Sequence, residues 1–232
     1  MTRYYTLVTA LPNLPPLAEC KQLPISRIAL DKRLTMLSDN DLLQLQLAEK
    51  LYHQSELSLE NLPDKPLILD WQRKLEKITS QPIRERICSR LEWQSLLAAL
   101  RYRQEGRIGP ESFHGFGRWT GIIRHNWHDP LFGLDTALPF LNQLQPLLSK
   151  RHSGELEQQL NTFLWKDLLF VERSFQFTLE TVICFILRWG LAEQHIKSDA
   201  SLALDSFKRM SEQLLGTPAI TQHLESAFEE LS

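Results

Sequence analysis

One stretch limits what this chain can fold into more than any other: Glu155 to Ile196, ELEQQLNTFLWKDLLFVERSFQFTLETVICFILRWGLAEQHI. From Glu155 to Trp189 it contains neither Pro nor Gly. Apolar residues recur at Leu156, Leu160, Leu164, Leu168, Val171, Phe175, Leu179, Val182, Ile186 and Trp189. Steps of three and four are those of a helix that buries one face. A single helix of about 35 residues would span roughly 50 Å at 1.5 Å per residue. That is long for a compact domain, so the stretch is either a spine or two helices. Val182, Ile183, Cys184, Phe185, Ile186 and Leu187 run consecutively. A helix that is apolar nearly all round must be covered nearly all round. The rest of the chain is therefore expected to pack on this stretch.

The 232 residues are 43% apolar, enough for a sizeable core. A single mostly helical domain over 1–232 is expected, with sub-modules 1–110 and 111–232. Leu is abundant while Gly and β-branched residues are sparse, which favours an all-α fold. The formal net charge of −2 gives no global attraction to nucleic acid or acidic substrates. Cys20, Cys88 and Cys184 are odd in number and far apart. They suit neither a disulfide framework nor a zinc site and point to a reducing compartment. The most apolar window, Thr181 to Leu187, is bracketed by Glu180 and Arg188 and is too short to span a membrane. The N-terminus lacks the apolar core and cleavage site of a secretory signal. A soluble intracellular protein is expected, with any membrane role peripheral.

Tyr4 to Leu11 is short, aromatic and apolar, and Pro12, Pro15 and Pro16 stop it. It reads as a short extended segment or a first helical turn. A helix is expected after Pro24 and another after Ser38 or Asp39 as N-cap. Asn61 to Pro66 reads as a turn, and a third helical region as running from Leu67 to about Lys77. Pro82 opens a long helix that Gly106 and Gly109-Pro110 end. The following region, with most of the glycines, reads as irregular chain with a short helix around Trp119 to Trp127. Asp135 is a candidate cap for a helix toward Leu148. Arg151 to Gly154 reads as a loop, and Asp199 to Leu215 as a separate helix. Gly216-Thr217-Pro218 reads as a break, and Ala219 to Leu231 as a short acidic amphipathic helix.

Three constellations invite chemistry. His125, His128 and Asp129, with His114 nearby, are the best metal candidates. His-x-x-His falls short of the helical zincin pattern, which places His at i and i+4 around a Glu. The preferred reading is a loop whose His and Asn side chains bond backbone groups, with no metal. Gly115 to Gly121 (GFGRWTG) fails the dinucleotide fingerprint, because Thr120 stands where the third Gly belongs. It also lacks the Lys-Ser/Thr pair of a phosphate loop. Its glycines are expected to let backbone pass close to bulky aromatic groups. No Gly-x-Ser-x-Gly elbow is present, and no Cys has a His beside it in sequence. No cofactor and no small-molecule substrate are expected.

Arg73, Lys74, Lys77, Arg84, Arg86, Arg90, Arg101, Arg103 and Arg107 make the 73–107 region locally basic, with Trp93 and Tyr102 interleaved. A helical RNA- or protein-binding module is the alternative functional reading here. Glu76, Glu85, Glu92 and Glu105 stand among these residues at helical spacings, which favours a solvated, ion-paired face. Docking of an acidic protein ranks next, and nucleic acid after it.

YYTLVTALPNLPPL, with Tyr4, Tyr5, Leu7, Val8, Leu11, Pro12 and Leu14 in place, resembles the opening of a bacterial family encoded in V/A-type ATPase operons. The Phe177/Glu180 pair and the segment around Arg188-Trp189 are similar to that family's C-terminal half. The family itself resembles a reduced form of the V/A-type ATPase connector, named C in prokaryotes and d in eukaryotes. Leu97, Leu100, Arg101, Arg103, Gly106 and Arg107 fall on that connector's apolar-arginine pattern. This chain is shorter than typical connectors of the kind, which use three similar helical modules. The resemblance implies an irregular helical bundle of the connector type and a non-catalytic role, not an enzyme. Such a connector links the central-stalk subunits to the proteolipid ring, peripherally on the cytoplasmic face of the membrane. It implies partner contacts at Arg101, Arg103, Arg107, Arg118, Arg124 and Trp127. The competing reading makes the Trp residues core and the Arg residues merely solvated. V-shaped helix pairs also imply a bend in the long stretch near Glu172 to Ser174.

Overall fold

The computed structural model describes residues 2–53, 65–106, 109–149 and 153–215. Of the described residues, 72% are helical and none is in a strand. The expected all-α class is therefore the observed one. Nine α-helices follow one another among the described residues: α1 (Thr2–Ala10), α2 (Arg27–Leu34), α3 (Asp39–His53), α4 (Lys65–Glu76), α5 (Gln81–Glu105), α6 (Thr120–His125), α7 (Leu141–Ser149), α8 (Ser153–Ser174) and α9 (Leu179–Leu215).

The N-terminal segment is helical rather than extended, which decides between the two conformations its length allowed. An isolated strand would leave its backbone groups without partners, whereas a helix satisfies most of its own. Leu7 turns inward and is buried, while Tyr5 stays exposed. Ser38 caps α3 as expected: its Oγ accepts from the Asp41 backbone N–H at 3.3 Å and donates to Asp41 Oδ2 at 2.6 Å. Pro82 lies in the first turn of α5, and Gly106 ends it at φ 66, in the left-handed region. Asp135 does not cap a helix. Pro139 keeps the residue before it out of helical geometry, so α7 starts only at Leu141.

The long stretch is two helices. The α8 helix stops at Ser174, residues 175–178 form a bend, and α9 begins at Leu179. The break falls one residue beyond the polar triplet Glu172 to Ser174. Phe177 takes up the reversal with φ 54, an uncommon conformation for an aromatic residue. The two helices pack on each other. Gln194 Nε2 donates to Glu157 Oε1 at 2.7 Å, and Arg188 meets Glu172 at 2.8 Å, so they run antiparallel. The Asp199–Leu215 segment is not a separate helix but the continuation of α9. Within α9, no Gly or Pro follows Gly190 to interrupt it.

Every residue from Thr181 to Trp189 is buried, as the unbroken apolar run requires. A second central helix is α5, buried continuously from Trp93 to Leu100. The α3 helix packs on both α5 and α9, and α8 bridges them from the other direction. One contiguous core runs through residues on both sides of position 110. Trp189 Nε1 donates to the Ile25 carbonyl at 3.0 Å, tying the N-terminal connection onto α9. The three cysteines are free. The turn expected at 61–66 falls mostly outside the described residues. So do Arg151 and Arg107, Gly216 to Pro218, and the acidic helix expected at 219–231.

Candidate partner interface

After Gly106 the chain folds back along α5. Gly115 lies so close to Phe113 that a Cβ there would approach its ring to 2.6 Å. Gly117 has φ 88, and a Cβ on it would run into Glu92. Gly115 thus permits close passage beside an aromatic ring, as the sequence suggested, whereas Gly117 passes a carboxylate side chain and Gly121 has open space beside it. Two bonds pin the loop to α5: Phe116 N donates to Ser95 Oγ at 2.9 Å, and Arg118 N donates to Glu92 Oε1 at 3.0 Å. A small pocket of about 20 Å³ lies here, lined by Glu92, Trp93, Leu96, Arg118, Trp119 and neighbours. That is room for about one water molecule.

The residues expected at a partner interface fall into different environments. Trp127 is 3% exposed and lies 5.6 Å from both Phe113 and Phe132, so it is core. Arg103 donates to the carbonyls of Asp129 and Pro130, and its guanidinium lies 4.9 Å from the Phe132 ring centroid. It closes the 129–133 turn onto α5, and burial holds its pKa below the usual guanidinium value. Arg124 donates to the Pro110 carbonyl at 3.2 Å and approaches Glu111 at 3.7 Å. Arg101 is half-buried on α5. Arg118 has a largely exposed side chain, 3.4 Å from Glu92 and over the Trp119 ring at 4.7 Å. Among the described members of the set, only Arg118 and Arg124 are exposed.

The histidine group does not assemble. His125, His128 and Asp129 are exposed, and no cluster of three or more metal-ligating side chains forms among the described residues. His114 Nδ1 lies 3.0 Å from the Ser112 carbonyl, and Asn126 Nδ2 donates to the Phe132 carbonyl at 3.1 Å. Both are local turn bonds of the kind expected for a structural loop.

Nor is the 73–107 region a single basic face. Arg90 is buried, its guanidinium 5.9 Å from the Tyr52 ring centroid. Arg86 pairs with Asp167 of α8 at 3.2 Å, and Arg84 donates to the Ile78 carbonyl. Lys74 pairs with Asp70. Trp93 is buried against Phe140 and Phe163, away from any stacking surface.

These pairings expose a feature that periodicity did not signal: a polar layer inside the bundle. It joins Arg86 and Arg90 of α5, Tyr52 of α3, Asp167 and Glu172 of α8, and Cys184 and Arg188 of α9. Arg188 is 4% exposed, is held by both Glu172 oxygens at 2.8 and 3.0 Å, and lies 4.8 Å from the Trp165 ring centroid. Burial raises the Asp167 carboxyl above its ordinary value, against the pull of Arg86. Burial raises Glu172 likewise, against Arg188. The Tyr52 hydroxyl and Cys184 thiol are also pushed up by burial. Both shifts favour the neutral form at physiological pH. The only advance sign of the layer was Arg86, Arg90 and Gln94 at four-residue spacing on one face of α5.

No family model, curated protein or solved structure matches the chain.

Proposed function

We propose that this chain is a non-catalytic connector subunit of a V/A-type rotary ATPase. It links the central stalk to the membrane proteolipid ring and transmits rotation for ion transport coupled to ATP hydrolysis or synthesis. The observation that carries this reading is the α8–α9 hairpin. By its antiparallel contacts, the start of α8 lies level with about 198–207 of α9. The rest of α9, to Leu215, extends roughly 12–25 Å further at 1.5 Å per residue. A continuous helix clamped along half its length in a core and projecting beyond its partner is suited to carrying a load between two bodies. The Arg188–Glu172 pair and the fully packed Thr181–Trp189 turns resist rotation of α9 within the bundle. The motif-bearing N-terminus packs on the same helix, since α1 contacts α9.

No helix among the described residues is long and apolar enough to cross a membrane. In this reading the chain is peripheral, on the cytoplasmic face, and held by the complex. Membranes solubilised in mild detergent should yield the tagged chain together with central-stalk and ring subunits. Recovery of the chain without them, under conditions that keep the rest of the ATPase intact, would rule the reading out.

A further inference from the structure

Between α1 and α2 the chain crosses the α8–α9 hairpin as a strap, residues 12–25, that contains Pro12, Pro15, Pro16 and Pro24. Pro16 has φ −51 and ψ 143, near the polyproline conformation, and Leu17–Glu19 form one 3-10 turn. Both conformations repeat about every three residues. Leu14, Leu17 and Cys20 therefore fall on one side, where they are 5%, 3% and 4% exposed. Asn13, Pro16, Ala18, Glu19, Lys21 and Gln22 between and beside them are exposed. The 3-10 turn touches both α8 and α9.

The two ends of the strap are tied to the fold in a way that its middle is not. On the α1 side, Tyr4 donates to Asp41 Oδ2 of α3 at 3.0 Å, and Leu7 is buried. On the α2 side, Trp189 of α9 donates to the Ile25 carbonyl at 3.0 Å. Arg27 just beyond donates to Glu49 of α3 at 3.0 Å and lies 5.9 Å from the Trp189 ring centroid. Within the strap the backbone bonds are internal: Glu19 N donates to the Pro16 carbonyl, Cys20 N to that of Leu17, and Lys21 N to that of Glu19. Among the described residues, the Trp189–Ile25 bond is the single hydrogen bond from 12–25 to the rest of the fold.

We propose that residues 12–24 lift off the α8–α9 hairpin as a unit, while both ends of the strap and the helices stay folded. Lifting separates three apolar side chains from the hairpin and breaks no hydrogen bond to it. A segment with so few ties belongs at the low end of local opening free energies. The prolines keep φ fixed in the lifted chain, so release gains little backbone entropy and the strap re-seats without refolding. Opening uncovers the apolar side of the hairpin beneath Leu14, Leu17 and Cys20. The strap is therefore a built-in cover for that surface, with its latch at Trp189. This inference does not depend on the connector reading.

The test treats the full-length chain with excess iodoacetamide in water and in low urea, and reads each modified cysteine by peptide mass spectrometry. Cys20 should be alkylated at least about a hundredfold faster than Cys184, with little dependence on urea, since local opening exposes little surface. Leu17→Ala should speed alkylation of Cys20 at least about tenfold and leave Cys184 unchanged, because Leu17 anchors the strap alone. Trp189→Phe removes the latch donor and should speed Cys20 about two- to tenfold, the scale of one hydrogen bond. Alkylation of Cys20 and Cys184 in parallel, with the same urea dependence, would overturn the proposal, because the strap would then open only with the whole fold. So would a Leu17→Ala variant that speeds both thiols equally or neither. Alkylation of Cys20 at the rate of an unfolded-chain thiol would also overturn it, because the strap would then not be seated.

Discussion

Trp127 shows how a single residue's role depends on its neighbours. In the sequence it stands among two His, an Arg and an Asn, a setting that looks like surface. In the fold its ring fills the space between Phe113 and Phe132. Trp127→Ala is expected to cost about 3–5 kcal/mol of stability, the usual range for removing a buried aromatic. Urea denaturation measures this, and a change under about 1 kcal/mol, the scale of surface substitutions, would return Trp127 to the surface. Arg118 is the contrasting case, because its side chain reaches solvent while its backbone N–H holds the loop to Glu92. The residue types around both positions were legible in advance. Which of them turned inward was not, because an irregular loop has no period from which to read a face.

At the scale of elements, the α8–α9 hairpin depends on one buried pair. Glu172→Ala leaves the Arg188 guanidinium in the core without its carboxylate. Removing one partner of a buried pair costs about 3–5 kcal/mol. Glu172 keeps 19% of its side chain in solvent, which puts the expected loss near the lower limit. Combining Glu172→Leu with Arg188→Met removes both charges and should restore much of that loss, since a packed apolar pair avoids the desolvation cost. Thermal melts of the two variants compare these outcomes directly. If the double variant is as unstable as the single, the ion pair itself and not its desolvation sets the energy. The helices were readable from their spacing, whereas a break near Glu172 to Ser174 was expected only from the resemblance to connectors built of V-shaped helix pairs. The identity of the residue that turns the corner was not. Phe177 adopts a left-handed conformation, φ 54, with its ring 4.8 Å from that of Tyr5.

At the scale of the whole molecule, the buried polar layer gives stability an unusual dependence on pH. Asp167 and Glu172 both have carboxyls raised by burial, so the folded state binds their protons more tightly than the unfolded state. Their contribution is fully present below the ordinary carboxylate value of about 4. It is lost as pH rises through the higher folded values. Asp167→Asn combined with Glu172→Gln should therefore flatten the stability curve over the mildly acidic range. Melting temperature against pH reads this, and an unchanged slope would mean that other groups dominate. The layer joins α3, α5 and the α8–α9 hairpin, which are far apart in sequence. No local pattern could have assembled Tyr52, Arg86, Asp167 and Arg188.

By itself the sequence determined most of the helices, because hydrophobic spacing, proline positions and caps act within a few residues of each other. It also determined that the 181–189 turns would be enclosed, because an all-round apolar surface admits no other solution. Only the tertiary structure decided that α5 is a second central helix, since its polar residues at positions 90 and 94 look solvent-facing until α3 and α8 are placed against them. Only the tertiary structure decided that Trp127 is core and that Arg103 closes the 129–133 turn onto α5. Whether a side chain faces solvent or core is a property of what packs against it. The same holds for the 166–174 stretch of α8, where turning Asp167 and Glu172 inward leaves Lys166 and Arg173 to face outward around Phe170.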